Sequence, residues 1–332
     1  MEQKDVRQCV EHIAAHPILG PRYGRLIEQL PLAIRFALAN GMIQSDVFEE
    51  LQGSSTRFLG AGMGVFVYDD FLRELKNAPS FWVGPELVKR IARGKSLLLS
   101  AVEIRDANSV AGLNLLVWHL TCHPRDLPRG EIATTIMTSF DQRFRGLRLR
   151  EVIGQADCVE HMYAMRDAGG LYFDRIRGTY VNFPNLDARN FPDEPRNSGI
   201  THALAFTHGT SWLSSLFVSY APPLLGLSLG EQRLLRAAWS GETDDQLSDR
   251  LGISIYAIKM RWRNIYDRVA AYLPNLTADS SHSDGEAHGR GKEKKQRLLD
   301  YVRKHPEELH PVSRKLLHHA TQRTARASPS TR

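Results

Sequence analysis

Apolar residues in the first two thirds of the chain recur at two different spacings. Helical spacing covers 3–15 and 23–40, with Pro31 as a break in the second stretch. Short apolar runs, typical of strands, alternate with further helical patterns. Strands are expected at 64–68, 96–102, 114–121 and 212–220, a hairpin at 171–183, and helices at 70–77, 85–93 and 131–144. This alternation predicts the fold class α+β, with a mixed α/β domain over 1–222.

A different pattern begins near residue 225 and predicts three successive helices. The first two start with the S/T-x-x-E/Q spacing of a capping box, in which the first and fourth residues exchange side chain to backbone hydrogen bonds. Gly252 is placed to end the second helix and Ser254 to begin the third. Two short helices joined by a tight turn are the helix-turn-helix arrangement. The capping pairs are Ser228 with Glu231 and Thr243 with Gln246.

The third helix separates apolar positions from basic ones. Its buried stripe is predicted at Ile258, Trp262, Ile265 and Val269, at spacings of four, three and four. The other positions hold four cations against the single acid Asp267. Because Lys and Arg neutralise phosphates while neighbouring side chains reach base edges, this face predicts binding to double-stranded DNA. The candidate DNA-binding residues are Thr243, Ser254, Ile255, Tyr256, Lys259, Met260, Arg261, Arg263, Asn264 and Arg268.

Residues 227–269 resemble, without a gap, the DNA-binding domain of LuxR-type bacterial transcriptional regulators, so a domain of this type is expected over 225–273. The shared residues are Glu231, Leu235, Gly241, Leu247, Arg250-Leu251-Gly252-Ile253-Ser254, Lys259 and Arg263-Asn264-Ile265-Tyr266. The resemblance implies that the third helix enters the major groove with Lys259, Met260 and Arg263 facing bases. It also implies that Thr243 and Ser254 lie near the DNA backbone.

The chain departs from the family pattern at several positions. The family's usual Pro after the first cap is Leu229, a common His is Arg261, and Trp262 replaces a smaller aliphatic residue. The family's fourth, dimerising helix is hard to find, because Pro274 breaks the chain where it should begin. A homodimer is therefore expected to use the N-terminal domain or a later basic helix.

The net charge of +6 is concentrated near the C-terminus. Residues 1–226 contain 24 basic and 24 acidic residues, whereas 290–332 contain 12 basic and 4 acidic ones. Composition predicts a flexible linker over 277–291, a basic helical segment over 292–318 and a disordered tail over 319–332. This basic region is expected to add affinity for DNA that does not depend on base sequence.

Other residues suggest chemistry that their context does not support. The glycines of 60–64 resemble a dinucleotide loop, but a strand follows them where a helix is required. His119, Cys122 and His123 are zinc-ligand types, yet no second ligand pair stands at a suitable spacing. No cofactor or metal is expected, and nothing requires the chain to be an enzyme. Aromatic residues of the predicted strands either fill a core or line a ligand cavity; they are Phe66, Tyr68, Trp82, Trp118, Tyr172, Phe173 and Trp212.

The sequence thus predicts a bacterial transcription regulator with an N-terminal sensory or oligomerising domain, which resembles PAS and GAF sensors in architecture only. Scattered cysteines and the lack of a long apolar run predict a cytoplasmic protein that does not enter a membrane. A small-molecule effector and RNA polymerase are further candidate partners. Two alternatives are an enzyme tethered to DNA and a protein-interaction module that uses Tyr256, Met260 and Trp262.

Overall fold

The computed structural model divides the chain into two compact units, Met1–Val218 and Ser219–Arg332, close to the boundary expected at 222–225. The described residues are 1, 3–52, 55–77, 81–95, 97–122, 130–156, 158–185, 194–207, 211–218, 220–239, 241–277, 287–313 and 315–316. Helices and one seven-stranded sheet confirm the mixed α and β content expected from the sequence. Within the described ranges, no helix is both long and apolar enough to cross a bilayer.

One mixed sheet forms the centre of the first unit. Its strands are β1 (Ile43–Gln52), β2 (Ser55–Val67), β3 (Leu113–Cys122), β4 (Leu149–Ala156), β5 (Leu171–Asp174), β6 (Thr179–Val181) and β7 (Arg196–Thr201). In space they follow the order β1-β2-β3-β4-β7-β5-β6. The β3 and β4 strands run parallel, and the other described pairs are antiparallel. The expected strand at 114–121 and the hairpin at 171–183 are confirmed as β3 and as β5 with β6.

Helices cover both faces of the sheet, because neighbouring strand residues point to opposite sides. Leu116 and Ile153 belong to one core and their neighbours Leu115 and Val152 to the other. The first core includes α1 (Val6–Ala15), α2 (Leu19–Tyr23), α3 (Leu30–Ala39), α4 (Asp69–Asn77) and α5 (Val83–Ala92). The second includes α6 (Ala101–Ser109), α7 (Gly130–Phe144), α9 (His202–Thr207) and α10 (Trp212–Val218), while α8 (Val159–Asp167) contacts β4 and β7.

The helices expected in this unit are confirmed as α1, α4, α5 and α7. The stretch 23–40 is interrupted, but the interruption precedes Pro31, since a 3₁₀ helix over Gly24–Glu28 ends just before α3 begins at Leu30. Pro31 lies in the first turn of α3, where a missing backbone N–H removes no intrahelical bond.

Two expected strands are wrong. Among the described residues 97–102, only Leu98 pairs with β2, as an isolated bridge, and Ser100 caps α6 by exchanging hydrogen bonds with Glu103. The run 212–220 contains α10, whose buried Leu213, Leu216 and Phe217 recur at helical spacing. Short apolar runs do not distinguish the two structures, so tertiary packing decides.

Three strands have no counterpart in the sequence pattern, namely β1, β4 and β7. The strand expected at 64–68 is the end of β2, which begins at Ser55. Residues 60–64 lie inside that strand, which rules out a dinucleotide-binding turn there. His119 and Cys122 lie on β3, whereas His123 falls outside the described residues. In the described part of the chain, no three His, Cys, Asp or Glu side chains are grouped as a metal site.

The described residues of the second unit form helices around one core. They are α11 (Leu229–Ala238), α12 (Asp244–Leu251), α13 (Ile255–Tyr272), α14 (Pro274–Thr277) and α15 (Ala287–Lys304), followed by a 3₁₀ helix over Pro306–Leu309. The basic helix α15 is part of this core, because Leu298, Leu299 and Val302 pack with α11 and α13. Of the expected linker 277–291, residues 278–286 lie outside the described residues and 287–291 belong to α15. The tail 319–332 also lies outside them.

Candidate nucleic-acid interface

Each of the three helices expected in the helix-turn-helix segment begins at its predicted cap. The Ser228 hydroxyl accepts the Glu231 N–H at 3.3 Å, and the Glu231 carboxylate accepts the Ser228 N–H at 2.7 Å. Thr243 and Gln246 make the same exchange at 3.3 and 2.8 Å. Ser254 accepts the N–H of the third residue of α13 at 3.2 Å. These bonds satisfy donors that a helix start leaves open, and so fix where α11, α12 and α13 begin.

The turn between α12 and α13 is held by backbone and side-chain bonds. Gly252 has φ +63° and ψ +34°, the left-handed conformation in which glycine has no Cβ to strain. The Ser248 hydroxyl donates to the Ile253 carbonyl at 2.5 Å, and the Ile253 N–H donates to the Ser248 carbonyl at 3.2 Å. Because both bonds cross the turn, they fix the direction in which α13 leaves α12.

The predicted buried stripe of α13 is confirmed. Ile258, Ile265 and Val269 are buried, and Trp262 is only 6% exposed. The Trp262 indole N–H donates to Asp244 at 3.2 Å, which connects α13 to the first turn of α12. Burial of Trp262 removes one of the three side chains on which a protein-interaction surface at this helix would depend.

One face of α13 points away from this core and carries most of the predicted site residues. Tyr256 is 71% exposed and Met260 37% exposed. Lys259 and Arg263 are exposed as well, and no described side chain pairs with either of them. Ser254, Asn264 and, at the start of α12, Thr243 are also exposed, whereas Ile255 is half-buried.

Arg261 and Arg268 do not belong to that exposed face, which corrects the prediction that they point outward. Arg268 donates to the Gly226 carbonyl at 3.0 Å and lies 3.7 Å from the Glu231 carboxylate. Arg261 approaches the Gly230 carbonyl at 3.5 Å. Each residue turns an α-helix by about 100°, so both arginines fall on the flank that faces the start of α11. Their cations therefore contact the start of α11 within the domain.

One acidic side chain of α12, Asp244, lies beside a cation of a helix that is distant in sequence. Lys295 on α15 lies 3.5 Å from the Asp244 carboxylate, and its Nζ is 4.9 Å from the centre of the Trp262 ring. Lys294 stands 4.9 Å over the ring of Tyr266. Burial, followed by the charge of Asp244, raises the pKa of Tyr266 to about 12, so its hydroxyl is protonated at neutral pH.

The sequence did not predict that α15 contributes cations beside α13. An amphipathic pattern indicated the helix itself, with Leu298, Leu299 and Val302 on one side. No local signal indicates which surface that stripe covers. A possible clue was the unusual Trp262, because a large indole on the flank of α13 offers a ring to a cation.

Residues 306–310, which follow α15, form hydrogen bonds with the start of the unit and with α11. Glu308 accepts the backbone N–H groups of Leu224 and Leu225 at 2.8 and 2.9 Å. Gln232 and Arg236 on α11 donate to carbonyls of 309–310 at 2.9 and 2.7 Å. Burial raises the pKa of the Glu308 carboxyl above its ordinary value, even though the hydrogen bonds from the Leu224 and Leu225 N–H groups lower it.

The arrangement offers an exposed, partly cationic helix that is held by its caps, by its buried stripe and by α15. Such a surface can contact phosphates and base edges. Comparison of the chain with protein-family models, with curated proteins and with solved structures found no match.

Proposed function

We propose that the chain is a sequence-specific DNA-binding transcriptional regulator whose second unit contains a LuxR-type helix-turn-helix domain. In this proposal α13 enters the major groove, with Lys259, Met260 and Arg263 facing bases. Thr243 and Ser254, at the starts of α12 and α13, approach the phosphate backbone, where the positive ends of the helix dipoles favour anions.

The supporting observation is the pair of exposed cations on α13. Lys259 and Arg263 are four residues apart, so they lie about one turn apart on the same face. Neither has an ion-pair partner among the described residues, in contrast to Arg268 and Arg250, which have Glu231 and Glu242 nearby. Unpaired cations beside an exposed amide and apolar side chains fit a major-groove reader better than a solvated helix surface.

The first unit supplies sensing or dimerisation in this proposal, and no catalytic role is assigned to it. The protein acts as a homodimer in the cytoplasm, with RNA polymerase and a small-molecule effector as further partners. The apolar stripe of α15 is covered within its own chain, so it is not available to join two copies. Dimerisation is therefore assigned to the first unit.

Selecting genomic fragments with the purified full chain tests the proposal and supplies a specific site. Lys259→Ala and Arg263→Ala should each weaken binding to that site by about 1–3 kcal/mol, since each removes a base contact. Fluorescence anisotropy over a salt series measures the affinity and its salt dependence.

Arg233→Ala is the matched control, because Arg233 is an exposed arginine of the same unit that lies on α11. It should retain the affinity of the parent. Parent-like binding by both α13 variants, or equal losses in all three, would contradict the assignment of α13.

A further inference from the structure

The two parallel strands of the first unit separate before they end. Pairing between β3 and β4 runs from Leu113 with Leu149 to Val117 with Gly154. Beyond that point β3 continues along β2, whereas β4 continues along β7. Their carboxyl ends therefore leave a wedge between them. In open sheets, ligands characteristically bind at such carboxyl ends, where neighbouring strands part.

A β-bulge lies at the point of separation. His119 pairs with Met63 and Val117 pairs with Gly64, so Trp118 is an extra residue in β3. In a regular strand the side chains of 118 and 119 would point to opposite faces, but both line this wedge. Bulges redirect side chains in this way and are frequent beside functional sites.

The wedge is closed on one side by the start of α5. Its interior is about 30 Å³, and it measures about 330 Å³ when the open mouth is included. The Val83 N–H donates to the Gln155 side chain at 2.7 Å, which joins α5 to β4. Gly84 allows the close approach, because a Cβ there would collide with the Tyr23 hydroxyl. The interior holds about two water-sized groups, the size of a ligand head group.

The polar groups of the wedge favour an anion. The Arg22 guanidinium lies 3.2 Å from the centre of the Trp82 ring. Trp118 is 4% exposed, and its buried indole N–H has no partner among the described residues. A hydrogen bond joins the buried Tyr23 hydroxyl to Nε2 of His119. The Arg22 guanidinium is the charged group of this lining, and the buried Trp118 donor without an acceptor costs free energy until a ligand supplies one.

We propose that this wedge binds a short-chain monocarboxylate. The carboxylate accepts from Arg22 and the Trp118 indole, and the aliphatic part lies against Leu19, Val83 and Val117. A planar anion with two oxygens suits a guanidinium and one further donor. The site stands independently of DNA, but its role as the effector site rests on the proposed function.

Acetate, propionate and butyrate, with their neutral amides as controls, are titrated into the full chain. Tryptophan fluorescence follows binding, since Trp82 and Trp118 line the wedge. The carboxylates should bind and the amides should bind at least tenfold more weakly. Failure of all three carboxylates to bind would overturn the proposal.

Arg22→Gln and Trp118→Phe should each weaken carboxylate binding tenfold or more. Arg25→Gln and Trp239→Phe are the matched controls, because Arg25 is exposed nearby and Trp239 has a buried, unpartnered indole N–H in the other unit. Equal weakening by the controls would contradict the site. In the unaltered protein, the Trp118 indole N–H resonance should shift with butyrate while that of Trp239 stays in place. An unmoved Trp118 resonance would also exclude the site.

The selected DNA site separates this inference from the proposed function. A change in DNA affinity on addition of butyrate supports the effector role, and an unchanged affinity refutes that role while the titration establishes the site. A chain that binds carboxylate but no DNA fragment would overturn the proposed function and leave the wedge as a ligand site.

Discussion

A buried charged network in the first unit contrasts with a pair of exposed cations in the second. In the first unit, Glu151 is buried and accepts from Lys76 at 2.5 Å and from the Tyr180 hydroxyl at 2.5 Å. In the second unit, Lys259 and Arg263 remain exposed and unpaired among the described residues. Polar groups that are buried together specify an interior, whereas cations left in water are available to a polyanion. The Glu151 network thus contributes to the interior of the first unit, whereas Lys259 and Arg263 give the second unit a surface that a polyanion can reach.

The second unit also shows that a cation's position on a helix decides its use. Arg263 and Arg268 are five residues apart on α13, and only Arg268 meets backbone carbonyl and carboxylate oxygens of the start of the domain. The number of basic residues on a helix therefore overstates the number of cations available to bind DNA.

The largest effect is expected from breaking the interior network of the first unit. Lys76→Met leaves the Glu151 carboxylate, whose side chain is 8% exposed, without its cation. We expect the free energy of unfolding to fall by about 3–5 kcal/mol, because an uncompensated buried charge is strongly unfavourable. Urea denaturation of the full chain measures it. Lys89→Met is the control. The Lys89 side chain is 42% exposed, so its ion pair with Glu86 should contribute less than about 1 kcal/mol to the free energy of unfolding.

A smaller effect is expected from the buried carboxylate of the second unit. Glu308→Ala leaves the N–H groups of Leu224 and Leu225 without their acceptor, and only the Leu225 bond is fully buried, so we expect a total cost of about 1–3 kcal/mol. The loss should appear in the unfolding transition of the second unit. A variant as stable as the parent would show that the hydrogen bonds of Glu308 do not stabilise the second unit.

Glu308 also predicts a pH dependence. Burial raises its pKa above the unfolded value of 4.5, so the folded unit binds the proton more tightly than the unfolded one. The corresponding stability is fully present below pH 4.5 and is lost as the pH rises through the folded pKa. Glu308→Gln should remove this part of the dependence in parallel denaturation series, whereas an unchanged pH profile would refute it.

The smallest effect concerns the cations on α15. Lys294→Ala and Lys295→Ala should each reduce the slope of log affinity against log salt by about 1 if these lysines contact phosphates, without changing which DNA sequence is preferred. Lys304→Ala, an exposed lysine at the other end of α15, is the control and should keep the parent slope. A changed base preference in either of the first two variants would instead show that the substituted lysine contacts bases.

The sequence predicted features that depend on residues a few positions apart. The caps predicted at Ser228, Thr243 and Ser254 are confirmed, because each side chain bonds a backbone group within three residues. The buried stripe that contains Trp262 is also confirmed, since helical periodicity alone decides which side of α13 is apolar. The candidate DNA-binding surface follows from that local information, and its function remains a proposal.

Tertiary structure decided everything that joins distant segments. The polar strand β1 exists because it pairs with β2, the run at 212–220 forms a helix because its stripe packs on the second core, and Arg268 turns inward because Gly226 and Glu231 lie beside it. The wedge needs Arg22, Trp82 and Trp118 from three separate segments. Side-chain patterns determine local conformation within a few residues, whereas strand pairing and packing depend on partners that only the folded chain brings together.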